Sequence, residues 1–147
     1  MTSGRSAIAM SEAEVQALLA EELTLTCATV GRDGWPHLMP LWYVVRDGEC
    51  WAWTYAKSQK VRNLEREARC TLQVEAGTEY GQLRGVMMKC AGAIHRDPQT
   101  VAGVGAALAK RYGGADVLPE AMARQAAKRV ALQFVVNSTA SWDHRKL

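Results

Sequence analysis

A chain of 147 residues, 48% hydrophobic and 22% charged, carries enough apolar surface for one substantial core and reads as a single domain over residues 1–147. Eighteen basic residues against fifteen acidic leave a net charge of +3, too balanced for a general nucleic-acid binder, so electrostatic function must reside in local clusters. No apolar run approaches the roughly 18 residues of a membrane span, and no apolar core follows a basic N-terminal region, which predicts a soluble, cytoplasmic protein.

The first element is a short amphipathic helix over residues 11–20. Glu12 and Glu14 sit in its first turn, Ser11 and Glu14 fit a capping box, and Val15, Leu18 and Leu19 recur at helical spacing. Residues 23–30 read as a strand and Gly31-Arg32-Asp33-Gly34 as a tight turn. Residues 35–45 read as a second strand whose Pro36 and Pro40 imply an edge, a bulge or a bend.

Arg46-Asp47-Gly48-Glu49 turns the chain into a strand over 50–54, and a helix runs from the basic segment at Lys57 to about residue 68. A fourth strand covers 70–75, a loop containing Tyr80 follows Gly77, and a long strand covers 83–96. Asp97-Pro98 starts a helix that Gly113-Gly114 ends, Pro119 starts another to about residue 128, and residues 129–141 form a last alternating strand. Six strands in hairpins with helices outside predict a mainly β, α+β domain built on a closed or partly closed antiparallel barrel.

The segment Lys57-Ser58-Gln59-Lys60-Val61-Arg62-Asn63-Leu64 puts cations at a helix start, where the macrodipole favours acids, and its first acid is Glu65. With Ser58 as N-cap, free backbone N–H groups would converge with Lys57, Lys60 and Arg62 on one volume suited to an anion, phosphate above all. A solvated basic helix face is the plain alternative. Just upstream, Trp42, Trp53 and Tyr55 offer flat faces with polar tips, suited to a heteroaromatic ring as well as to an interface.

Reactive side chains are poorly represented. The chain has no G-x-S-x-G, H-E-x-x-H or Walker loop, His37, His95 and His144 are isolated from one another, and no short His or Cys spacing suggests a metal. Cys27, Cys50, Cys70 and Cys90 lie in or beside apolar strands and read as buried thiols. A phosphate cradle beside aromatic walls, without a reactive residue, fits an enzyme that leaves the chemistry to an organic cofactor.

Several blocks in order resemble the pyridoxamine 5′-phosphate oxidase-like, split-barrel flavin and deazaflavin oxidoreductases. They are Ala28-Thr29-Val30-Gly31-Arg32-Asp33-Gly34-Trp35-Pro36-His37, Ser58-Gln59-Lys60-Val61-Arg62-Asn63-Leu64-Glu65-Arg66, Val74-Glu75-Ala76-Gly77 with Tyr80, Leu83-Arg84-Gly85-Val86, and Ser141-Trp142-Asp143-His144-Arg145-Lys146-Leu147. The resemblance implies a six-stranded split β-barrel with peripheral helices, dimerising around two cofactor grooves. It implies that Lys57, Ser58, Gln59, Lys60, Arg62 and Asn63 receive the cofactor's phosphate and that Met39, Pro40, Leu41 and Trp42 line its ring. Tyr80 joins this set, and Trp142, Arg145 and Lys146 of the partner chain complete the groove.

The Lys-x-x-Asn-Leu pattern, the Glu75-Ala76-Gly77 loop and the short length resemble the branch that uses the deazaflavin F420, with FMN the alternative. The implied reaction is hydride transfer between C5 of reduced F420, or N5 of FMN, and an unsaturated organic substrate. Protons would come from solvent, Tyr80 or His37, in that order. A rival reading on the same fold is a non-catalytic binder of F420, haem or a fatty acid. The walls over residues 76–82 and 113–120 set the substrate and carry no readable shape.

Overall fold

The computed structural model describes residues 4–114 and 116–147, so Ala115, within the wall expected over 113–120, lies outside the described residues. A short helix α1 (Gly4–Ile8) precedes α2 (Glu12–Glu21), whose N-cap Ser11 forms the expected reciprocal capping box with Glu14. Strands β1 (Leu25–Val30), β2 (Pro36–Leu41), β3 (Val44–Arg46) and β4 (Glu49–Tyr55) lead to α3 (Gln59–Arg66). Then come β5 (Arg69–Ala76), β6 (Arg84–His95), α4 (Pro98–Gly113), α5 (Pro119–Ala126) and β7 (Arg129–Asp143), with 3-10 turns at Tyr80–Gln82 and His144–Lys146.

Among the described residues, seven strands form one antiparallel sheet in the order β2-β1-β5-β6-β7-β4-β3. The count corrects the expectation of six. The single strand expected over 35–45 breaks at Trp42 and Tyr43, so that its first half forms one edge of the curled sheet and its second half the other. Both prolines accordingly sit on an edge, Pro36 opposite Val30 and Pro40 opposite Thr26. The barrel is thus bridged covalently where its hydrogen-bonded ladder is open.

That crossing is held by α4. Arg111 lies over the Tyr43 ring at 4.5 Å and donates to the carbonyls of Tyr43, Leu19, Ala20 and Glu22. Three of those carbonyls close the last turn of α2, whose orphan acceptors need donors and favour a cation. The fully buried Tyr43 donates its hydroxyl to Leu19 O at 2.7 Å. Tyr112 stacks on Trp42 with centroids 4.4 Å apart, accepts from the Tyr43 N–H and donates to Leu23 O.

Two clusters make the core. The barrel interior packs Leu25, Cys27, Leu72, Val74, Val86, Met88, Leu132 and Phe134 against Leu18 and Leu19 of α2 and Val61 and Leu64 of α3. The second lies under α4 and α5, where Val101, Val104 and Leu108 meet Val44 and Ala131. Gly105 lets α4 approach β4, since a Cβ there would lie 2.3 Å from the Trp53 ring. All four cysteines are buried thiols, as the sequence suggests.

Arg111→Ala should lower stability by about 2–4 kcal/mol, because several partly buried carbonyls lose a charged donor together. Arg111→Lys should recover less than half of that, since an ammonium cannot reproduce the planar fork. Urea unfolding of the three proteins measures both.

Candidate functional site

Helix α3 crosses the end of the barrel where β1 finishes and β4 ends. The reason is polar. Asn63, fully buried, donates its amide to Thr29 Oγ1 at 3.0 Å and accepts from Gln59 at 2.9 Å, while Arg66 donates to Val30 O at 2.7 Å. Thr29 occupies an inward position of β1 after Leu25 and Cys27, so a hydroxyl waits where the alternation calls for an apolar group. A buried amide needs such partners, and they fix the helix in register.

The N-terminus of α3 differs from the expected cradle in two respects. Ser58 has the extended backbone of an N-cap, yet its side chain makes no capping bond, and its shielded Oγ has no partner among the described residues. Lys60 does not converge with its neighbours: it is buried and its ammonium donates to Thr54 Oγ1 at 3.1 Å. Burial lowers its pKa from the ordinary lysine value, with the Cys27 thiol nearby acting in the opposite sense. Lys57 and Arg62 are exposed, and no acid occupies the first turn. The residues therefore fit an anion: two exposed cations, a helix N-terminus, and a hydroxyl lacking a bond that a phosphate oxygen would supply.

Beside α3, a groove of 480 Å³ runs under the β1–β2 turn, lined by Arg32, Asp33, Trp35, His37, Gln59 and Asn63. The shielded His37 Nδ1 also has no partner among the described residues. The sequence separates His37 from the other histidines and offers it as a proton donor behind Tyr80. Its place two residues after Trp35, on the strand that follows the turn, was the available signal for its grouping with α3.

From this end β2 climbs to the crossing, carrying exposed Met39 and Pro40, half-buried Leu41 and, just beyond, exposed Trp42 on Tyr112. These four form an edge open to a ligand or a second chain. Tyr80, Trp142, Arg145 and Lys146 lie elsewhere. Tyr55 pairs with Arg129 at the start of β7, whereas Trp142 lies thirteen residues further along, near the other end of the same strand. None of Tyr80, Trp142, Arg145 and Lys146 lines the groove beside α3 within one chain.

At that far end the side chains are mutually engaged. Arg145 grips Asp143 through two hydrogen bonds of 2.9 and 2.8 Å, and Lys146 bonds Glu14 at 2.8 Å and Ala9 O at 2.9 Å. Tyr80 is exposed with its ring against His144, whose Nδ1 meets Tyr80 O. Trp142 lies over Gly85, where a Cβ would come within 2.3 Å of its ring, and Gly77 turns the chain at φ 97° with no room for a Cβ beside Gln82 O.

Arg145 holds the Asp143 carboxyl at a pKa of about 2, and Lys146, with Ser11, does the same to Glu14. Both values lie below those of unfolded carboxylates, so the stabilisation is complete above about pH 5 and lost as pH falls toward 2. The protection factors of amides at residues 4–14 and 141–147, taken relative to the intrinsic exchange rate at each pH, should therefore fall across that interval. Equal protection at both ends of it would contradict the ion-pair latch.

Among the described residues no His, Cys, Asp and Glu group could hold a metal ion, and no helix is long and apolar enough to cross a membrane. Comparison with known proteins gives no match among curated proteins. Among solved structures, a conserved hypothetical protein of Mycobacterium tuberculosis superposes with a TM-score of 0.90 at 41% identity, covering 99% of this chain and 92% of the other. An F420 reductase aligns at TM-score 0.69 and 23% identity, covering 85% and 94%. The haem storage protein HutZ of Vibrio cholerae aligns at 0.69 and 16%, covering 90% and 93%. These last two likenesses concern the fold. The family model described as pyridoxamine 5′-phosphate oxidase matches residues 11–143, and the chain belongs to that family.

Proposed function

We propose that this protein is an F420-dependent oxidoreductase, working as a homodimer on a small unsaturated organic substrate, with FMN as the alternative cofactor. The observation that carries the reading is the N-terminus of α3, where the unpartnered Ser58 Oγ, the free first-turn N–H groups and exposed Lys57 and Arg62 accompany an acid-free first turn. Such a site suits a phosphate monoester or diester. Bound there, the deazaflavin would supply the hydride.

The chain's own residues would bind and orient. Lys57, Ser58 and Arg62 hold the anionic end, Gln59 and Asn63 shape the floor, and Lys60, through Thr54, braces α3 from within. Met39, Pro40, Leu41 and Trp42 form the edge along which the ring would lie. Distance along β7 argues that Trp142 and the 3-10 turn come from a second chain, which also covers the exposed apolar β2 edge. No side chain at the cradle is placed as acid or base, so protons are assigned to solvent, with Tyr80 and His37 behind it.

A second reading, haem binding without turnover, draws on one observation: His37 Nδ1 is shielded, unpartnered and beside a groove. Titration separates the two. F420 should bind at micromolar concentration with quenching of its fluorescence, and Lys57→Glu with Arg62→Glu should weaken binding at least about tenfold with unchanged thermal stability, because both side chains are exposed. Unchanged affinity in that variant would reduce the cradle to a solvated helix end, and a Soret band lost in His37→Ala would favour haem.

A further inference from the structure

A second, larger groove lies away from α3. A groove of 1010 Å³ opens at the far end of β7, between the sheet and the N-terminal segment. Its floor is apolar: Met87 and Ala140 face each other across β6 and β7, with Met88, Val136 and Trp142 beside them. The polar groups on the sheet side, Gln73, Thr139 and Ser141, are uncharged. Among the described residues, Arg5 and Glu12 contribute the only ionisable side chains of the lining, both exposed on the N-terminal helices.

Its roof is a strap. Helix α1 buries none of its own residues, and the segment is held by Ser141 Oγ accepting from Met10 N–H at 2.9 Å and by Lys146 on Ala9 O and Glu14. A short element with so little buried surface opens at small free-energy cost. The volume is that of a small-molecule site, and a floor without charge penalises an ionic guest, which would exchange water for groups unable to compensate it.

We infer that this groove binds an uncharged, largely apolar organic molecule of one to three rings under the strap Gly4–Met10, latched by Lys146 and Ser141. The inference rests on the proposed oxidoreductase reading only in calling that molecule the substrate's chemical class; the binding itself does not need the cofactor. In a dimer that joins one chain's α3 cradle to the partner's far end, the groove would lie next to the cofactor's ring.

Two dyes with one skeleton test it on the full-length protein without cofactor: neutral N-phenyl-1-naphthylamine and its sulfonated relative 1-anilinonaphthalene-8-sulfonate. The neutral dye should bind with enhanced fluorescence, and the sulfonate at least about tenfold more weakly. Met87→Glu should cost the neutral dye at least about tenfold, Ala140→Glu should do the same if Met87→Glu fails to fold, and Lys146→Ala should speed its release. Equal or tighter binding of the sulfonate, or neutral-dye affinity untouched by a folded glutamate variant, would overturn the inference. An unmutated protein that binds F420 but not the neutral dye sinks this site alone, and one that binds the neutral dye but not F420 sinks the cofactor reading alone.

Discussion

The guanidinium of Arg111 holds the place on which the architecture turns. A sheet whose two edges are consecutive segments of one chain must bend sharply between them, and a bend exposes main-chain groups that the ladder no longer satisfies. Here the bend falls at Trp42 and Tyr43, and Arg111 meets it with donors that also close the last turn of α2. Tyr112 adds a hydroxyl that serves Tyr43 and Leu23, and a ring on which Trp42 rests. Helix α4 thereby ties three elements to one point. The position of β2, and with it the open edge of the candidate groove, follows from that tie.

At the opposite end the constraint is a pair of buried polar side chains. Asn63 and Lys60 are placed inside rather than in solvent, each answered by a threonine, Thr29 from β1 and Thr54 from β4. Their burial is tolerable only with those partners, so the two contacts fix both the depth and the rotation of α3. A helix set that way turns Lys57 and Arg62 outward and leaves Ser58 Oγ shielded without a bond. The candidate cradle is thus a by-product of how α3 is anchored, which ties function to the core.

Much of this was legible in the chain. The capping box at Ser11, the turns at Gly34 and Gly48, Pro98 and Pro119 at helix starts and the alternation of β7 are local signals, and local signals survive folding. The break at Trp42 and Tyr43 was not legible, because an apolar run with β-forming residues reads the same whether it continues or switches edges. The inward turn of Lys60 was hidden for another reason: it depends on Thr54, and periodicity alone does not price a lysine inside a barrel. The pairings of Arg145 with Asp143 and Lys146 with Glu14 join the chain's end to itself and to its beginning, and no local signal in the sequence announces the second of them.

The proposed groove, built from one chain's α3 cradle and its partner's Trp142 end, is tested directly by mixed dimers. One protein carries Lys57→Glu with Arg62→Glu, the other Trp142→Ala, and each alone binds F420 poorly. After subunit exchange in equal amounts, half of the dimers are mixed and each mixed dimer holds one groove built from two intact ends, so about one quarter of the wild-type sites should return. Recovery near that fraction is the expected result. No recovery, with exchange verified by native mass spectrometry, would mean that a single chain supplies the whole site.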